Sequence, residues 1–227
     1  MKRLIPIVLL LSLMFIAWKY GVYDFLTLDF LRTNRHSLLE FVRSYPISAP
    51  IIYILFYILL VSLSIPGAVY LTLLSGFLFS QPWSTLYTVC AASTGAMIIF
   101  LATKTSLHHY LKNLAGNRVL SMKKGFSENA ASYLLFLRLV PIFPFFLVNI
   151  VPGLLGVPFR TYAWTTVLGI IPATFIFCQA GSTLGSIVDS TKEFSLKEIL
   201  TTEIYLVLIA MGILTLLPSL IKKWKSQ

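Results

Sequence analysis

The sequence predicts an all-α integral membrane protein: an inverted repeat of two opposed re-entrant hairpins, each followed by a transmembrane helix, with flanking N- and C-terminal transmembrane helices. Three observations predict it. Hydrophobic residues make up 57% of the 227 residues and charged residues 11%, with mean hydropathy +0.85, whereas a soluble domain is roughly 25% charged. The apolar runs, such as residues 51–63 and 205–217, are continuous rather than alternating, which selects helices over barrel strands among the elements that lipid permits. Two of the runs are broken by proline and glycine, and the placement of Lys and Arg makes both enter and leave on one side of the membrane.

Taken in order, residues 4–22 follow Lys2 and Arg3, and the stretch Phe15-Ile16-Ala17-Trp18-Lys19 lacks the small residues of a cleavage site. This predicts an uncleaved signal anchor. The amphipathic stretch 30–45, with Arg32, Arg35, Glu40 and Arg43, is predicted to lie along the outer interface. Segments 47–64, 85–103, 162–180 and 204–221 approach the length of about 20 residues that crosses the hydrocarbon. The broken stretches are 65–80, with Pro66, Gly67 and Gly76, and 131–157, with Pro141, Pro144, Asn149, Pro152, Gly153 and Gly156. Proline removes a helical hydrogen bond and clashes with the preceding turn, so these stretches are predicted to be discontinuous or re-entrant. The glycines let backbones approach closely. Three parts result: an anchor with its interfacial helix (1–46), a membrane core (47–185), and an interfacial segment with a last helix and a basic tail (186–227).

The connection after Thr103 carries Lys104, Lys112, Arg118, Lys123 and Lys124, and the tail carries Lys222, Lys223 and Lys225. Both are predicted to be cytoplasmic, as is the N-terminus. The connection after Ala180 offsets Lys192 and Lys197 with four acids and faces the other side. Parity then makes 47–80 a hairpin from one face and 131–157 a hairpin from the other. A shift of 77 residues lays Ser75-Gly76-Phe77-Leu78 on Pro152-Gly153-Leu154-Leu155, and Gly95-Ala96-Met97-Ile98-Ile99-Phe100 on Pro172-Ala173-Thr174-Phe175-Ile176-Phe177, without a gap, in agreement with that parity. Inverted repeats of this kind carry their functional site near the midplane.

Signatures of soluble enzymes are missing from the sequence: it has no phosphate-binding loop, nucleophile elbow, HExxH, CxxC or dinucleotide fingerprint. A non-enzymatic protein without cofactor or metal is expected. Cys90 and Cys178 lie apart inside apolar segments and predict no disulfide. The net charge of +10 sits in short clusters beside apolar segments, which fits anionic headgroups rather than nucleic acid. His36 and the pair His108-His109 fall in interfacial connections, where a headgroup-facing surface is favoured over a proton or metal role.

Arg138 is the informative charge, because it follows six residues of apolar helix and precedes the break at Pro141. It lies about 10 Å along the hairpin from Ala131. A central arginine costs about 2.5–3.5 kcal/mol to insert. It therefore either snorkels to the interface or has a partner: freed carbonyls, water, or an anion such as a lipid phosphate. Arg160 reads either as an interfacial anchor or as a ligand contact, and Asn149 as a partner for freed backbone groups or for a headgroup.

The runs Pro66-Gly67, Ser75-Gly76-Phe77-Leu78-Phe79 and Pro82-Trp83, and then Phe136-Leu137-Arg138-Leu139-Val140-Pro141-Ile142-Phe143-Pro144-Phe145 with Asn149, Gly153, Phe159, Tyr162, Gly169 and Pro172, resemble the two re-entrant elements of the DedA superfamily. These are also called SNARE-associated Golgi proteins, and the branch is that of the yeast Tvp and human transmembrane-protein-64 proteins. The resemblance covers residues 47–185 and implies two opposed hairpins and movement of lipids or lipid phosphates, including polyprenyl phosphate. It also implies that Arg138 stands at the family's arginine before the second hairpin. The chain departs from the bacterial type, since Phe143-Pro144-Phe145 stands where a second arginine is found and no acid is embedded.

The leading expectation is a lipid or lipid-phosphate translocase that is not driven by ATP, with membrane lipids as partners, in a bacterial plasma membrane. The alternatives are a secondary transporter of a small solute or ion, and a membrane-organising protein.

Overall fold

The computed structural model describes residues 28–65, 67–105, 123–139 and 145–189. The expected end helices at 4–22 and 204–221, Pro66, Pro141, Pro144 and the pair His108-His109 lie outside the described residues. Among these residues seven helices follow one another: α1 (Leu28–Ser44), α2 (Ser48–Ser62), α3 (Ala68–Leu78), α4 (Trp83–Lys104), α5 (Lys123–Leu139), α6 (Phe145–Leu154) and α7 (Phe159–Asp189). Among the described residues all regular structure is helical.

Burial shows which solvent these helices suit. On α2 the exposed residues are Ile51, Ile52, Leu55, Phe56 and Leu59, whereas Tyr53 and Tyr57 are buried. The pattern recurs across the chain, where Leu86, Ile98, Leu101, Leu168 and Ile171 are exposed while Ser84, Thr88, Ser93, Asn149, Thr165 and Thr166 are buried. An exterior more apolar than the interior is stable only in lipid, where buried hydroxyls find partners inside the protein. Among the described residues two helices are long and apolar enough to cross a membrane, Trp83–Lys104 and the Phe159–Gly185 portion of α7. At 1.5 Å per residue the 22 residues of α4 reach about 33 Å, which matches roughly 30 Å of hydrocarbon. The residues of α1 and α2 meet at a bend of 111°, beside Pro46 and Pro50.

The chain forms two compact units, one of residues up to Ile99 together with Phe177–Glu193, the other centred on Phe100–Ile176. In the first, α1 packs on α2 and α3, and α2 on α3. Gly67 opens α3 at φ 137°, a conformation that suits glycine alone. A Cβ on Gly76 would run into the Cys178 backbone, and one on Gly181 into that of Leu73, so α3 lies backbone to backbone against the last turns of α7. Hydroxyls tie this unit together. The Tyr53 hydroxyl is 2.7 Å from Thr88 Oγ1 and donates to the Leu71 carbonyl at 3.2 Å, while the Tyr57 hydroxyl is 3.0 Å from Thr72 Oγ1. The Cys178 thiol donates to the Thr72 carbonyl, and Ser75 Oγ to the Ser84 carbonyl.

In the second unit α5 packs on α6. Helix α5 is interrupted at Asn129 (φ −154°, ψ 65°), whose Oδ1 accepts from the Ser132 amide. That is an N-cap, so the apolar half of α5 starts at Ala130, next to its predicted start. Helix α6 runs through Pro152, and Gly156 follows at φ 77°. Gly153 faces the Phe100 carbonyl and the Thr103 side chain, where a Cβ would sit 3.0–3.1 Å from them.

The largest departure from expectation is α7, which has 31 residues where the sequence suggests a span of 162–180. Its extension runs through Gly181 and Gly185, beyond the expected end at Ala180. Both are contacts: Gly181 faces the Leu73 backbone and Gly185 the Arg35 guanidinium. Arg35 in turn lies over the Phe77 ring, 4.5 Å from its centroid, and so pins the interfacial helix α1 to α3.

Gly76→Val is expected to lower the thermal midpoint of the detergent-purified protein sharply, by about 3 kcal/mol or more of lost stability, because backbone rather than a flexible side chain occupies the space. A wild-type midpoint would contradict the close crossing of α3 and α7.

Candidate functional site

The second unit contains the one predicted midmembrane charge. Arg138 lies in the last turn of α5, where the exposed carbonyl ends of a helix favour a cation. Gly169 lets α7 come against it, since a Cβ there would sit 2.7 Å from Arg138 Cβ. The side chain does not snorkel out, because Arg138 is only 7% exposed.

Its Nη2 donates to Asn149 Oδ1 at 2.8 Å, to the Tyr162 hydroxyl at 2.8 Å and to Thr166 Oγ1 at 3.1 Å. Tyr162 passes its own proton to Asn149 Oδ1 at 2.9 Å. Two donors converging on one atom of Asn149 identify it as the oxygen. That leaves Asn149 Nδ2 as a buried donor with no hydrogen-bond partner among the described residues. Each of these acceptors is neutral. From Ile47 to Val188 the sequence has a single acid, Glu128, and the side chains that α6 and α7 bring to the cation are neutral dipoles.

Aromatic rings extend the cluster. Tyr162 stacks on Phe100 with centroids 4.0 Å apart and planes 14° apart. Arg138 lies over the Tyr162 ring at 5.4 Å, and Lys104 over the Phe100 ring at 5.7 Å. The result is a column of cation, ring, ring and cation, each charge facing the negative face of a ring. The Lys104 ammonium also donates to the Val157 carbonyl at 2.9 Å.

The predicted residues thus separate. Arg138 and Asn149 come together, and Asn149 bonds to the guanidinium and a tyrosine rather than to freed backbone. Arg160 is exposed on the first turn of α7 and stands outside the hydrogen-bonded cluster. The side-chain acceptors were missed, because Arg138 was expected to turn to carbonyls, water or an anion. Tyr162 and Thr166 stand four residues apart on one helix face, a polar pair in an apolar span that marks the surface opposite the arginine. Among the described residues no group of His, Cys, Asp and Glu is arranged to hold a metal.

A family model described as the VTT domain matches residues 65–183, which include Lys104, Arg138, Asn149, Tyr162 and Thr166. The chain is 34% identical over 174 residues to a "Transmembrane protein 41 homolog" of Caenorhabditis elegans, covering 75% of this chain and 68% of that protein. It is 33% identical over 170 residues to the Dictyostelium discoideum homolog, covering 74% of this chain and 49% of the relative. To "Transmembrane protein 41B" of Homo sapiens it is 28% identical over 195 residues, covering 84% and 64%. It therefore spans between about half and two thirds of these relatives' length. No solved structure matches the chain.

Tyr162→Phe keeps the ring on Phe100 but removes the hydroxyl shared by Arg138 and Asn149. A loss of about 1–3 kcal/mol is expected, read as a lower thermal midpoint in mild detergent. An unchanged midpoint would mean that the hydroxyl does not hold the cluster together.

Proposed function

From the premise that the chain belongs to the VTT domain family of membrane proteins, alongside the transmembrane protein 41 relatives, we propose that it is a passive translocase for lipids with a phosphate headgroup. One observation carries the reading: Arg138 is buried among neutral acceptors. A guanidinium is costly to bury in lipid, and neutral oxygens do not cancel its charge, so it attracts a passing anion. Phosphate is the anion that a planar guanidinium binds in bidentate fashion. Asn149 Nδ2, buried and unfilled among the described residues, adds a donor for a second phosphate oxygen.

The repeat supplies an internal comparison. Residue 138 less the 77-residue shift is 61, and Val61 meets Gly95 as Arg138 meets Gly169: in both cases a Cβ on the glycine would lie 2.7 Å from the partner's Cβ. The spans are offset by three residues relative to the hairpins, since 169 less 95 is 74. Packing at this position is thus served by valine in one unit, and the arginine answers a different demand.

In the proposed mechanism the membrane core of residues 47–185 holds two opposed hairpins that shorten the hydrophobic path, while Arg138 lowers the barrier for the headgroup midway. Binding strengthened only at the barrier is what speeds a step. The match of Gly76 with Gly153, each facing backbone of a neighbouring helix, supports the repeat. The opposed orientation rests on the Lys/Arg asymmetry, as does the reading of cytoplasmic termini; the bacterial plasma membrane is an expectation from the sequence alone. The named relatives are eukaryotic and lend the bacterial setting no support.

Purified protein in liposomes is expected to speed exchange of a labelled anionic phospholipid between leaflets. Arg138→Met should slow that exchange by about tenfold, the worth of one charge-assisted contact at the barrier. Stability is expected to fall as well, by about 1–3 kcal/mol, because Asn149 and Thr166 lose their donor, so exchange is compared between samples shown to be folded. Exchange no faster than in protein-free vesicles would overturn the proposal, and saturable uptake of a soluble solute instead would identify a secondary transporter.

A further inference from the structure

The unit that holds Arg138 also contains a cavity of about 420 Å³, within the size range of ligand sites. Phe126, Ala131, Leu155 and Val157 give it an apolar lining, and Asn129 and Thr161 give it polar atoms. Gly156, also in the lining, would meet nothing within 4 Å if it carried a Cβ, so the wall there is open. The cavity does not overlap the hydrogen-bonded cluster around Arg138, and translocation as proposed above does not require it.

Its surroundings are basic. Lys104 donates to the carbonyl of Val157, a lining residue, which occupies one of its three N–H donors. Arg160 is exposed in the sequence between the lining residues Pro158 and Thr161. An apolar lining with a basic margin is complementary to an amphiphile that has an anionic head. The Lys104–Phe100–Tyr162–Arg138 column links the cavity wall to the buried cluster, through steps of 5.7, 4.0 and 5.4 Å.

We infer that this cavity is a loading site for a phosphate-bearing lipid, with Lys104 as the cation that selects the anionic headgroup before it reaches Arg138. The inference rests on the translocase reading for its purpose. It is nevertheless tested by equilibrium binding, which can fail or succeed independently of transport.

The full-length protein in nanodiscs of zwitterionic lipid is titrated with fluorescent short-chain phosphatidic acid, and separately with phosphatidylcholine of the same chains. Lys104→Gln is expected to weaken phosphatidic acid binding by about tenfold, the scale of one hydrogen bond to a charged group. Phosphatidylcholine binding should be nearly unchanged, and Lys104→Arg should restore the preference. A merely structural lysine would alter both lipids alike, and that result would overturn the assignment. Ala131→Trp fills the cavity without touching a charge and is expected to weaken both lipids; wild-type binding by this variant, eluting as folded protein, would exclude the cavity. Competition by inorganic phosphate as effective as by the lipid would reveal a free-anion site and would also overturn it. Selective binding lost in Lys104→Gln, in a protein that gives no leaflet exchange, would uphold the loading site while removing the translocase reading.

Discussion

A positive charge held out of water dictates the arrangement of the second unit. Arg138 cannot be satisfied by α5 alone, so α6 supplies Asn149 and α7 supplies Tyr162 and Thr166. Those side chains reach it only because Gly169 removes the bulk between α5 and α7 and Gly153 brings α6 against the end of α4. Helix contacts in lipid gain nothing from expelling water, so close backbone approach and polar bonds must hold them. The arginine cluster and its glycines meet both requirements.

The first unit meets the same physical problem without a charge. Tyr53, Tyr57, Thr72, Thr88 and Cys178 bond to one another or to carbonyls, and Gly76 and Gly181 make the close crossings. Neutral hydroxyls are therefore enough to build such a core. This contrast, more than the burial of Arg138 taken alone, argues that the charge serves a ligand: a stabilising role is filled elsewhere in the chain by groups that are cheaper to desolvate.

Much of the fold was legible because lipid leaves the backbone few choices. The runs at 47–64 and 85–103 became α2 and α4 within a few residues, and Gly67 stands at the start of α3, whereas Gly76, Pro152 and Gly153 lie inside helices. Arg138 and Asn149 stood out because polar residues are rare in such segments. Their acceptors did not, because the bonds join residues 11, 24 and 28 positions apart, and no periodicity within one helix reports contacts between three. The length of α7 was misread for a related reason. Gly181 and Gly185 lie beyond the expected end, and in the folded chain they are where Leu73 and Arg35 fit.

The sequence by itself determined the solvent, the class of structure and the presence of a costly cation, since each follows from composition and from the price of polar groups in hydrocarbon. Only the tertiary structure decided what surrounds that cation, because the oxygen atoms that solvate it come from helices distant in sequence. It also decided that Lys104, read from sequence as a topological charge, bonds to the carbonyl of Val157, a residue that lines a cavity, and stands at the far end of an aromatic column from Arg138.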